Sequence, residues 1–559
     1  MAEPSYVKGA STPAIVERTL GEALSVAVTK WPNAEALVSC HQNIRWTWAE
    51  LATRADAVAT GLLKLGLVPG DRVGIWAPNC AEWTLTQLAT ARIGLVLVNI
   101  NPAYRTWELE YVLNLVGVKA LVCAEQFKSS DYLEMVESLA PELRASAPGD
   151  LTSSRLPALR SAIKLTARER SGWLPFESLT KETDGNLLVK AALNLRPEDP
   201  INVQFTSGTT GKPKGATLSH RNILNNATLV GGTMGLRAGD RLCIPVPLYH
   251  CFGMVMGNLA CIAHGATMVY PAASFDALSV LKAVEQEKCT ALYGVPTMFI
   301  AELEHGEFSK FDLGSLRTGI MAGSPCPVEV MRKVIDKMHM SDVGIAYGMT
   351  ETSPVSFQTS LDAPLSRRVS TVGQIQPHLE AKVVDAKGDI LPRGEPGELC
   401  ARGYSVMIGY WGDRERTREA IDDDNWMHTG DLATIDAEGY CNIVGRIKDM
   451  VIRGGENIYP KEVEDFLFGH PKIEMAQVVG VPDAKYGEEL CAWVKLRAGQ
   501  TATAEEITAY CKGQIAHYKV PRYVRFVDAF PMTVTGKVQK FEIRAAMIKE
   551  LGIAEVETA

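Results

Sequence analysis

The chain has 559 residues, of which 46% are hydrophobic and 22% charged, and its formal net charge is −8. This length exceeds what one hydrophobic core usually organises, so we expect several subdomains. The negative charge excludes the basic footprint of a nucleic-acid-binding protein, and no apolar run approaches the roughly 18 residues of a membrane span.

Twelve cysteines are scattered along the chain without a Cys-x-x-Cys pair, so the sequence offers no zinc or redox motif of that kind. In a chain of this size, scattered cysteines are typical of small buried groups in a reducing compartment. Residues 1–5 lack the apolar core of a signal peptide. We therefore predict a cytoplasmic protein.

Apolar runs alternate with helix-period segments in the first quarter of the chain. Residues 72–76 and 95–100 are predicted to be buried strands, and residues 48–65 and 81–91 amphipathic helices. This alternation predicts a layered α/β fold with a largely parallel sheet. Between about residues 140 and 183 the pattern weakens, and we expect a surface connection without function.

The later chain shows two further patterns. Period-2 alternation and turn signals over residues 373–440 predict a β-rich subdomain. After residue 446, a helix that begins at Pro460, two strand-like runs and a helix over residues 504–516 predict a small α+β domain.

A loop rich in glycine and hydroxyl residues follows the strand-like residues 201–204. Its backbone N–H groups, hydroxyls and two lysines suit a polyphosphate. Pro213 breaks the Gly-Lys-Ser/Thr pattern of a Walker A loop, which excludes a P-loop kinase or GTPase. The candidate phosphate-binding residues are Thr206, Ser207, Gly208, Thr209, Thr210, Gly211, Lys212 and Lys214.

This stretch resembles the phosphate loop of the adenylate-forming superfamily, which comprises acyl-CoA synthetases, luciferases and the adenylation domains of peptide synthetases. The motifs that follow the loop in that family occur here in the same order, at residues 320–325, 344–351, 426–431, 446–455 and 531–540. The resemblance spans nearly the whole chain. It implies a large N-terminal domain of layered α/β subdomains plus the β-rich subdomain (residues 1–446) and a small mobile α+β lid domain (residues 447–559).

The resemblance implies a nucleotide site at the ends of these motifs. In relatives, Gly323 and Ser324 approach the adenine and Tyr347, followed by Gly348, stacks on it, although many members carry Ala at the position of Ser324. Thr350 binds a phosphate oxygen, and Glu351 supplies a carboxylate of the kind that Mg²⁺ requires. Asp431 accepts bonds from the ribose hydroxyls. Arg446 contacts ribose and phosphate.

The resemblance also implies an acyl pocket. Tyr249 and His250 form its wall and gate. The pocket residues predicted from the same comparison are Tyr249, His250, Met254, Val295, Pro354 and Val355. Methionine and aliphatic side chains suit a hydrocarbon, but they suit a protein core equally well.

Three functions are implied for the lid. Lys448 is the hinge, Gly454 and Gly455 leave room for the pantetheine arm of coenzyme A, and Lys537 enters the active site. A carboxylate that attacks the α-phosphate of ATP brings two anions together, which costs several kcal/mol at about 4 Å unless cations intervene. The implied catalytic residues are therefore Lys537, Thr350, Glu351 and His250.

The implied reaction uses ATP, Mg²⁺ and coenzyme A. A fatty carboxylate and ATP form acyl-AMP and pyrophosphate, and the thiol of coenzyme A then displaces AMP. The first half of the chain is most like medium-chain fatty acyl-CoA synthetases. Gly445 stands where long-chain enzymes often carry an acid, which argues against long chains.

Three alternatives remain at this point. An aryl-CoA ligase, for benzoate- or coumarate-like acids, would use the same chemistry with another pocket. An adenylating enzyme would load a separate carrier protein. A non-catalytic acyl-binding protein of this fold would be expected to have lost Glu351 or Lys537, and both are present. Chain length of the acid is not readable from the sequence, and a homodimer is left open.

Overall fold

The computed structural model describes residues 3–206, 212–324, 326–454, 456–483, 485–533 and 536–553. Within them the chain forms four large β-sheets and one short hairpin, Gln126–Phe127 with Ser130–Asp131. The first two sheets are mainly parallel, and the third and fourth are mainly antiparallel. The predicted combination of layered α/β subdomains, a β-rich subdomain and a small α+β domain is confirmed.

The first sheet has eight strands, and six neighbouring ones run parallel. Two antiparallel strands extend it at one edge. In spatial order the strands are Leu174–Pro175, Ser161–Lys164, Ala120–Cys123, Arg72–Trp76, Val96–Asn99, Pro200–Thr206, Lys214–Ser219 and Gly409–Tyr410.

The second sheet has nine strands, and its six central strands are parallel. In spatial order they are Gln374–Ile375, Val355–Gln358, Asp342–Gly348, Thr318–Ala322, Ala291–Gly294, Arg241–Cys243, Thr267–Tyr270, Glu35–Ser39 and Ile44–Thr47. Carboxyl ends of parallel strands meet at one edge of a sheet, which is where ligands bind in open α/β folds.

The third sheet is antiparallel throughout and is formed by Tyr6–Lys8, Leu379–Val384, Gly397–Gly403, Met427–Ile435 and Cys441–Arg446. The fourth sheet belongs to the C-terminal domain. It consists of Glu456–Ile458, Val451–Arg453, Gly487–Leu496 and Ile473–Asp483, with Tyr523–Phe526 parallel to Gly487–Leu496.

Helices cover the sheets. The α-helices are Leu20–Lys30, Trp48–Lys64, Ala81–Arg92, Thr106–Val116, Tyr132–Leu139, Gly185–Ala192, His220–Thr233, Ala260–His264, Ala277–Glu287, Pro296–Leu303, Val328–Met338, Leu365–Ser370, Arg414–Ala420, Pro460–Phe468, Ala504–Cys511 and Lys540–Leu551. Residues Phe252–Leu259 form a π-helix. Among the described residues, no helix combines the length and the apolar character needed to cross a bilayer.

Local chemistry explains where the helices begin. Trp48–Lys64 starts at a capping box, in which Thr47 Oγ1 accepts the N–H of Glu50 and the Glu50 carboxylate accepts the N–H of Thr47 at 2.8 Å. Pro460 occupies the first turn of Pro460–Phe468, where its missing N–H costs nothing. Both starts agree with the predicted elements.

Two helix predictions are wrong in character or length. Ala81–Arg92 is not amphipathic, because ten of its residues are buried. It packs on the first sheet, and Thr84 Oγ1 lies 2.7 Å from the Tyr270 hydroxyl of the second sheet, so almost every side of the helix faces protein. The helix predicted over residues 504–516 ends at Cys511, because Lys512 is extended and Gly513 takes a φ of +76°.

Two segments have more regular structure than expected. Residues 140–183 are not only a surface connection, since Ser161–Lys164 is a buried parallel strand of the first sheet. Its four residues are all buried, so the strand shows no alternation that a sequence pattern would reveal. The β-rich segment also contains the helix Arg414–Ala420.

The largest core cluster joins the first two sheets through the helices between them. Trp76, at the end of its strand, is fully buried and stacks on Tyr132 with ring centroids 3.6 Å apart. Its Nε1–H donates to the carbonyl of Asn101 at 3.0 Å. This side chain therefore fixes the strand end against the helix Tyr132–Leu139.

Replacing Trp76 by alanine should lower the free energy of unfolding by roughly 3–5 kcal/mol, because the change leaves a large cavity and breaks the indole hydrogen bond. The matched control is Trp107→Ala, since Trp107 is 59% exposed. That variant should lose less than about 1 kcal/mol. Urea unfolding followed by far-UV circular dichroism compares the two, and equal midpoints would contradict the packing argument.

Candidate active site

The carboxyl ends of two strands, one from each parallel sheet, meet at a hydrogen bond. Thr206 ends Pro200–Thr206, and Glu351 follows Asp342–Gly348. The Thr206 hydroxyl donates to Glu351 Oε1 at 3.0 Å. Thr350 and Glu351 are both buried. The end of the first strand, at Thr206, and the Thr350–Glu351 pair therefore lie at one place.

Tyr410 is a member of this site that the sequence analysis missed. Its hydroxyl donates to the same Glu351 Oε1 at 2.9 Å, and the Lys214 Nζ lies 4.6 Å from the centre of its ring. Burial and the Glu351 carboxylate raise the pKa of Tyr410, so the phenol stays protonated and keeps donating. The pairing of the strand Gly409–Tyr410 with residues 216 and 217 brings it here, and a strand of two residues carries no sequence signal.

Glu351 is suited to a hard metal ion. The two hydroxyls both bond Oε1, and among the described residues no donor reaches Oε2. A carboxylate oxygen and a neighbouring threonine hydroxyl are oxygen ligands of the kind that Mg²⁺ prefers. The residues present therefore fit the predicted Mg²⁺ position.

A second group joins the second and third sheets. The Tyr347 hydroxyl donates to Asp431 Oδ2 at 2.6 Å, and Arg446 Nε lies 2.8 Å from Asp431 Oδ1. Asp431 and Arg446 are direct partners on neighbouring antiparallel strands. Burial and Asp431 raise the pKa of Tyr347. Both oxygens of Asp431 are thus held, and each still has a lone pair for another donor.

The C-terminal domain lies against this site. A methyl group added at Gly323 would lie 3.8 Å from Lys537 Cε, and one added at Gly536 would lie 2.9 Å from Thr297 Oγ1 and 3.1 Å from Val295 Cγ2. Gly536 has a φ of +78°, so the turn before Lys537 combines a left-handed residue with a close approach.

The Lys537 side chain is exposed, and its ammonium interacts electrostatically with Arg446, Asp431 and Glu351 of the large domain. Dehydration, and after it the Arg446 guanidinium, lower the pKa of Lys537, while Asp431 and Glu351 oppose that shift. The ammonium is therefore within electrostatic reach of both carboxylates that the first two groups hold.

His250 is half-buried beside Tyr249, with ring centroids 5.4 Å apart. Burial, and after it the Lys537 ammonium, lower the pKa of His250 to about 3. The imidazole is therefore neutral near pH 7. The Tyr249 carbonyl accepts a hydrogen bond from Asn99 Nδ2 at 2.9 Å, which fixes the chain just before His250.

The predicted acyl-pocket residues Met254, Val295, Pro354 and Val355 are all buried. Met254 belongs to the π-helix, and its sulfur lies 3.1 Å from the side-chain amides of both Asn99 and Gln204. Val355 is held by two hydrogen bonds to the amide of Asn226, at 2.8 and 3.1 Å. Their assignment to an acyl pocket stays a prediction.

The structure gives the exposure or local contacts of several remaining candidates, and the others fall outside the described part of the chain. Ser324 is half-buried, Gly348 and Lys448 are exposed, and the Lys212 Nζ lies 5.7 Å from the Tyr111 ring centre. Gly454 has a φ of +61° after the strand Val451–Arg453, and it donates its N–H at 2.8 Å to the carbonyl of Tyr486, which precedes the neighbouring strand Gly487–Leu496. The candidates outside the described residues are Ser207, Gly208, Thr209, Thr210, Gly211 and Gly455.

A buried polar network behind the site was also missed. Asn202 Nδ2 donates to Asn99 Oδ1 at 3.0 Å, and Gln204 Nε2 donates to Asn202 Oδ1 at 2.9 Å. In the same buried region, Asn258 Nδ2 donates to Gln87 Oε1 at 2.9 Å. The sequence signal for this network is the presence of asparagine and glutamine in predicted buried strands, because a buried side-chain amide needs a hydrogen-bond partner.

The comparisons with known proteins agree over nearly the whole chain. The family model of AMP-binding enzymes matches residues 24–411, and that of the AMP-binding enzyme C-terminal domain matches residues 462–537. The relative "Medium-chain acyl-CoA ligase ACSF2, mitochondrial" of Danio rerio is 49% identical over 554 residues, which cover 98% of this chain and 91% of the relative.

A bacterial relative and a solved structure are also similar. "Putative acyl-CoA synthetase YngI" of Bacillus subtilis is 48% identical over 544 residues, which cover 97% of this chain and 99% of the relative. The crystal structure of the anthranilate CoA ligase AuaEII in complex with anthranoyl-AMP aligns with a TM-score of 0.85 and 27% identity, over 97% of this chain and 99% of that one. With a family model that matches more than half of its length, and relatives nearly half identical to it, this chain belongs to the AMP-binding enzyme family.

Proposed function

We propose that this chain is an AMP-forming acyl-CoA synthetase that activates a fatty acid with ATP and then transfers the acyl group to coenzyme A. The observation that carries this proposal is the position of Lys537, whose side chain reaches from the C-terminal domain to Gly323 and lies within electrostatic reach of Asp431 and Glu351. Two anionic substrates repel each other, so joining them requires a positive charge at the site. Lys537 brings such a charge from the C-terminal domain to the place where the two carboxylates are held.

In the first half-reaction, the fatty carboxylate oxygen attacks the α-phosphorus of ATP, and the bond to pyrophosphate breaks. Like charges about 4 Å apart repel by about 4 kcal/mol at an effective dielectric constant of about 20. The Lys537 ammonium offsets this repulsion. Asp431, fixed by Tyr347 and Arg446, orients the nucleotide through its ribose.

Glu351, with the Thr206 hydroxyl beside it, would hold Mg²⁺, which supplies further positive charge at the phosphates. Tyr410 acts as a positioning residue for that carboxylate, because it donates to the oxygen that Thr206 also bonds. Both donors orient Glu351 before any substrate binds. The two sheets therefore preorganise the phosphate side of the site.

His250 acts in this proposal as a neutral gate residue. Its imidazole carries no charge that would compete with Lys537 for the carboxylate. In the second half-reaction the thiol of coenzyme A attacks the acyl carbon, and AMP leaves. We propose that the lid turns at Lys448 between the two halves, which withdraws Lys537 and brings Gly454 and Gly455 to the thiol channel.

For the substrate we propose a medium-chain fatty acid, supported by the medium-chain ligase name of a relative 49% identical to this chain. An aryl acid is the second candidate, because the anthranilate CoA ligase shares the fold with a TM-score of 0.85. Loading of a separate carrier protein is the third. A cytoplasmic location stays a prediction, and the twelve free cysteines support a reducing compartment. A homodimer remains untested.

The proposed substrate class predicts a graded response in pyrophosphate release. Straight-chain acids of about 6 to 12 carbons should be the best substrates, with benzoate and coumarate at least about tenfold poorer in kcat/KM, since one misfit group in an apolar pocket costs about 1–3 kcal/mol. Each acid is assayed with and without coenzyme A. Better turnover of benzoate than of octanoate would favour the aryl ligase instead.

Removal of the Lys537 ammonium should affect the two half-reactions differently. Lys537→Ala should slow acyl-AMP formation by about 10²–10³-fold, because it removes one preorganised charge from the site. Thioester formation from supplied acyl-AMP should stay within about threefold of the native rate, since the repulsion between carboxylate and ATP is absent from that step.

The control for this variant is Lys549→Ala, an exposed lysine on the helix Lys540–Leu551 of the same domain. It should leave both half-reactions unchanged. Single-turnover assays of each half measure the rates separately. Equal losses in both halves for Lys537→Ala would refute the assigned role.

The pH dependence should not contain a His250 titration. A pKa of about 3 keeps His250 neutral at every pH above about 4, so its charge does not change between pH 5 and 8. The kcat/KM profiles for adenylation by the native chain and by His250→Gln should therefore have the same shape, with the variant at a lower level. If kcat/KM of the native chain changed at about pH 6.5, the ordinary histidine pKa, and that change were absent from the variant, the neutral state of His250 would be contradicted.

A further inference from the structure

Three potential metal ligands converge on the third sheet, outside the active site. Glu398 and Cys400 lie on Gly397–Gly403, and His428 lies on the neighbouring strand Met427–Ile435. Their ligand atoms all lie within 4.8 Å of one another. We call Glu398, Cys400 and His428 the ligand cluster.

The backbone places these side chains together. Cys400 is the direct antiparallel partner of His428, so both side chains stand on the same face of the sheet. Glu398 lies two residues before Cys400 on a strand, where such side chains share a face, although the pairing register with the neighbouring strand shifts between these two residues. The cluster therefore stands on two paired strands, which fix ligands more precisely than loops do.

The distances suit a small metal ion. His428 Nδ1 lies 2.9 Å from Glu398 Oε2 and 3.5 Å from Cys400 Sγ. Tetrahedral Zn²⁺ has bonds of about 2.0–2.3 Å, which place neighbouring ligand atoms roughly 3.3–3.8 Å apart. The His428–Cys400 separation lies in that range, and the shorter His428–Glu398 separation would lengthen by about half an ångström around a bound cation.

A fourth residue, Asp422, lies on the other side of the histidine ring. Asp422 Oδ2 lies 3.6 Å from His428 Nε2, while Asp422 Oδ1 accepts the backbone N–H groups of Trp426 at 2.8 Å and Asp424 at 3.0 Å. Metal-bound histidines commonly donate their second ring N–H to a carboxylate. Asp422 is thus in place to orient Nδ1 towards the cluster.

An ordinary ion-pair arrangement explains only part of this geometry. A charged imidazole between Glu398 and Asp422 would account for the two carboxylates. The buried Cys400 packs with Val384 and Trp426, and its thiol also faces the same ring nitrogen as Glu398, which the ion pair does not require. Three different ligand types at one point are accounted for together by a cation.

We propose that Glu398, Cys400 and His428 bind a borderline-soft divalent cation of the Zn²⁺ type, with Asp422 positioning His428 and water completing the coordination. Thiolate and imidazole ligands select such ions over Mg²⁺, so this site is chemically distinct from the Mg²⁺ position at Glu351. On binding, the Cys400 S–H bond breaks, the sulfur–metal bond forms and the proton passes to solvent.

The site would also brace the nucleotide side of the protein. Glu398 Oε1 accepts the N–H of Gly430 at 3.2 Å, and Gly430 has a φ of +68° just before Asp431. A cation on Oε2 would therefore stiffen the turn that presents Asp431. The proposal itself does not depend on the proposed ligase activity.

Cobalt binding tests the site through the absorbance of a thiolate–Co²⁺ bond. The full-length, reduced and chelator-treated protein should bind one equivalent of Co²⁺ with a near-ultraviolet charge-transfer band, and Zn²⁺ should abolish the band. Excess MgATP should leave it unchanged. Cys400→Ala should lose the band, and the matched control Cys441→Ala, a buried cysteine of the same sheet outside the cluster, should keep it.

Two further variants separate ligand loss from misfolding, because His428 and Asp422 are partly exposed, with 31% and 34% of their side-chain surface accessible. His428→Gln should lose tight binding while folding normally. Asp422→Asn should keep the band with affinity lower by about 10-fold or more. A folded native chain without the band, or an unchanged band in Cys400→Ala, would overturn the proposal.

Discussion

The approach of the Lys537 ammonium to the carboxylates of Glu351 and Asp431 is the interaction on which the proposed chemistry depends. Each carboxylate is held by two donors: Thr206 and Tyr410, both of the first sheet, bond Glu351, whereas Tyr347 of the second sheet and Arg446 of the third bond Asp431. The lysine comes from the C-terminal domain, just before the helix Lys540–Leu551. The arrangement therefore exists only when the C-terminal domain is docked as it is here, which is a physical reason for a lid to control the reaction.

The buried amide network gives the phosphate side of the site its rigidity. Asn99, Asn202 and Gln204 are bonded to one another or to Met254 inside an apolar core, where an unpaired amide would be costly. Asn99 also holds the carbonyl of Tyr249. The strand that leads to Thr206 and the chain that leads to His250 are thus fixed by the same bonds.

Sequence patterns predicted what is local and missed what depends on long-range pairing. The helix Trp48–Lys64 has a cap and a clear apolar period, and the strand Arg72–Trp76 is a plain apolar run. The prediction for Ala81–Arg92 was wrong because the first sheet and the helices Leu20–Lys30 and Trp48–Lys64 bury nearly all of its sides. The resemblance identified Glu351 and Lys537, whereas Tyr410 and the Cys400–His428 pair depend on strand register, which no motif encodes.

The most direct measurement of the central claim restores a positive charge at position 537 without the lysine. Lys537→Cys is alkylated with bromoethylamine, which places an ammonium at nearly the original distance, or with iodoacetamide, which adds a neutral amide. The native chain, treated in the same way, controls for reaction at its own cysteines. The account predicts that acyl-AMP synthesis recovers by at least about 10-fold with the ammonium and not with the amide. Equal recovery with both reagents, or none with the ammonium, would contradict it.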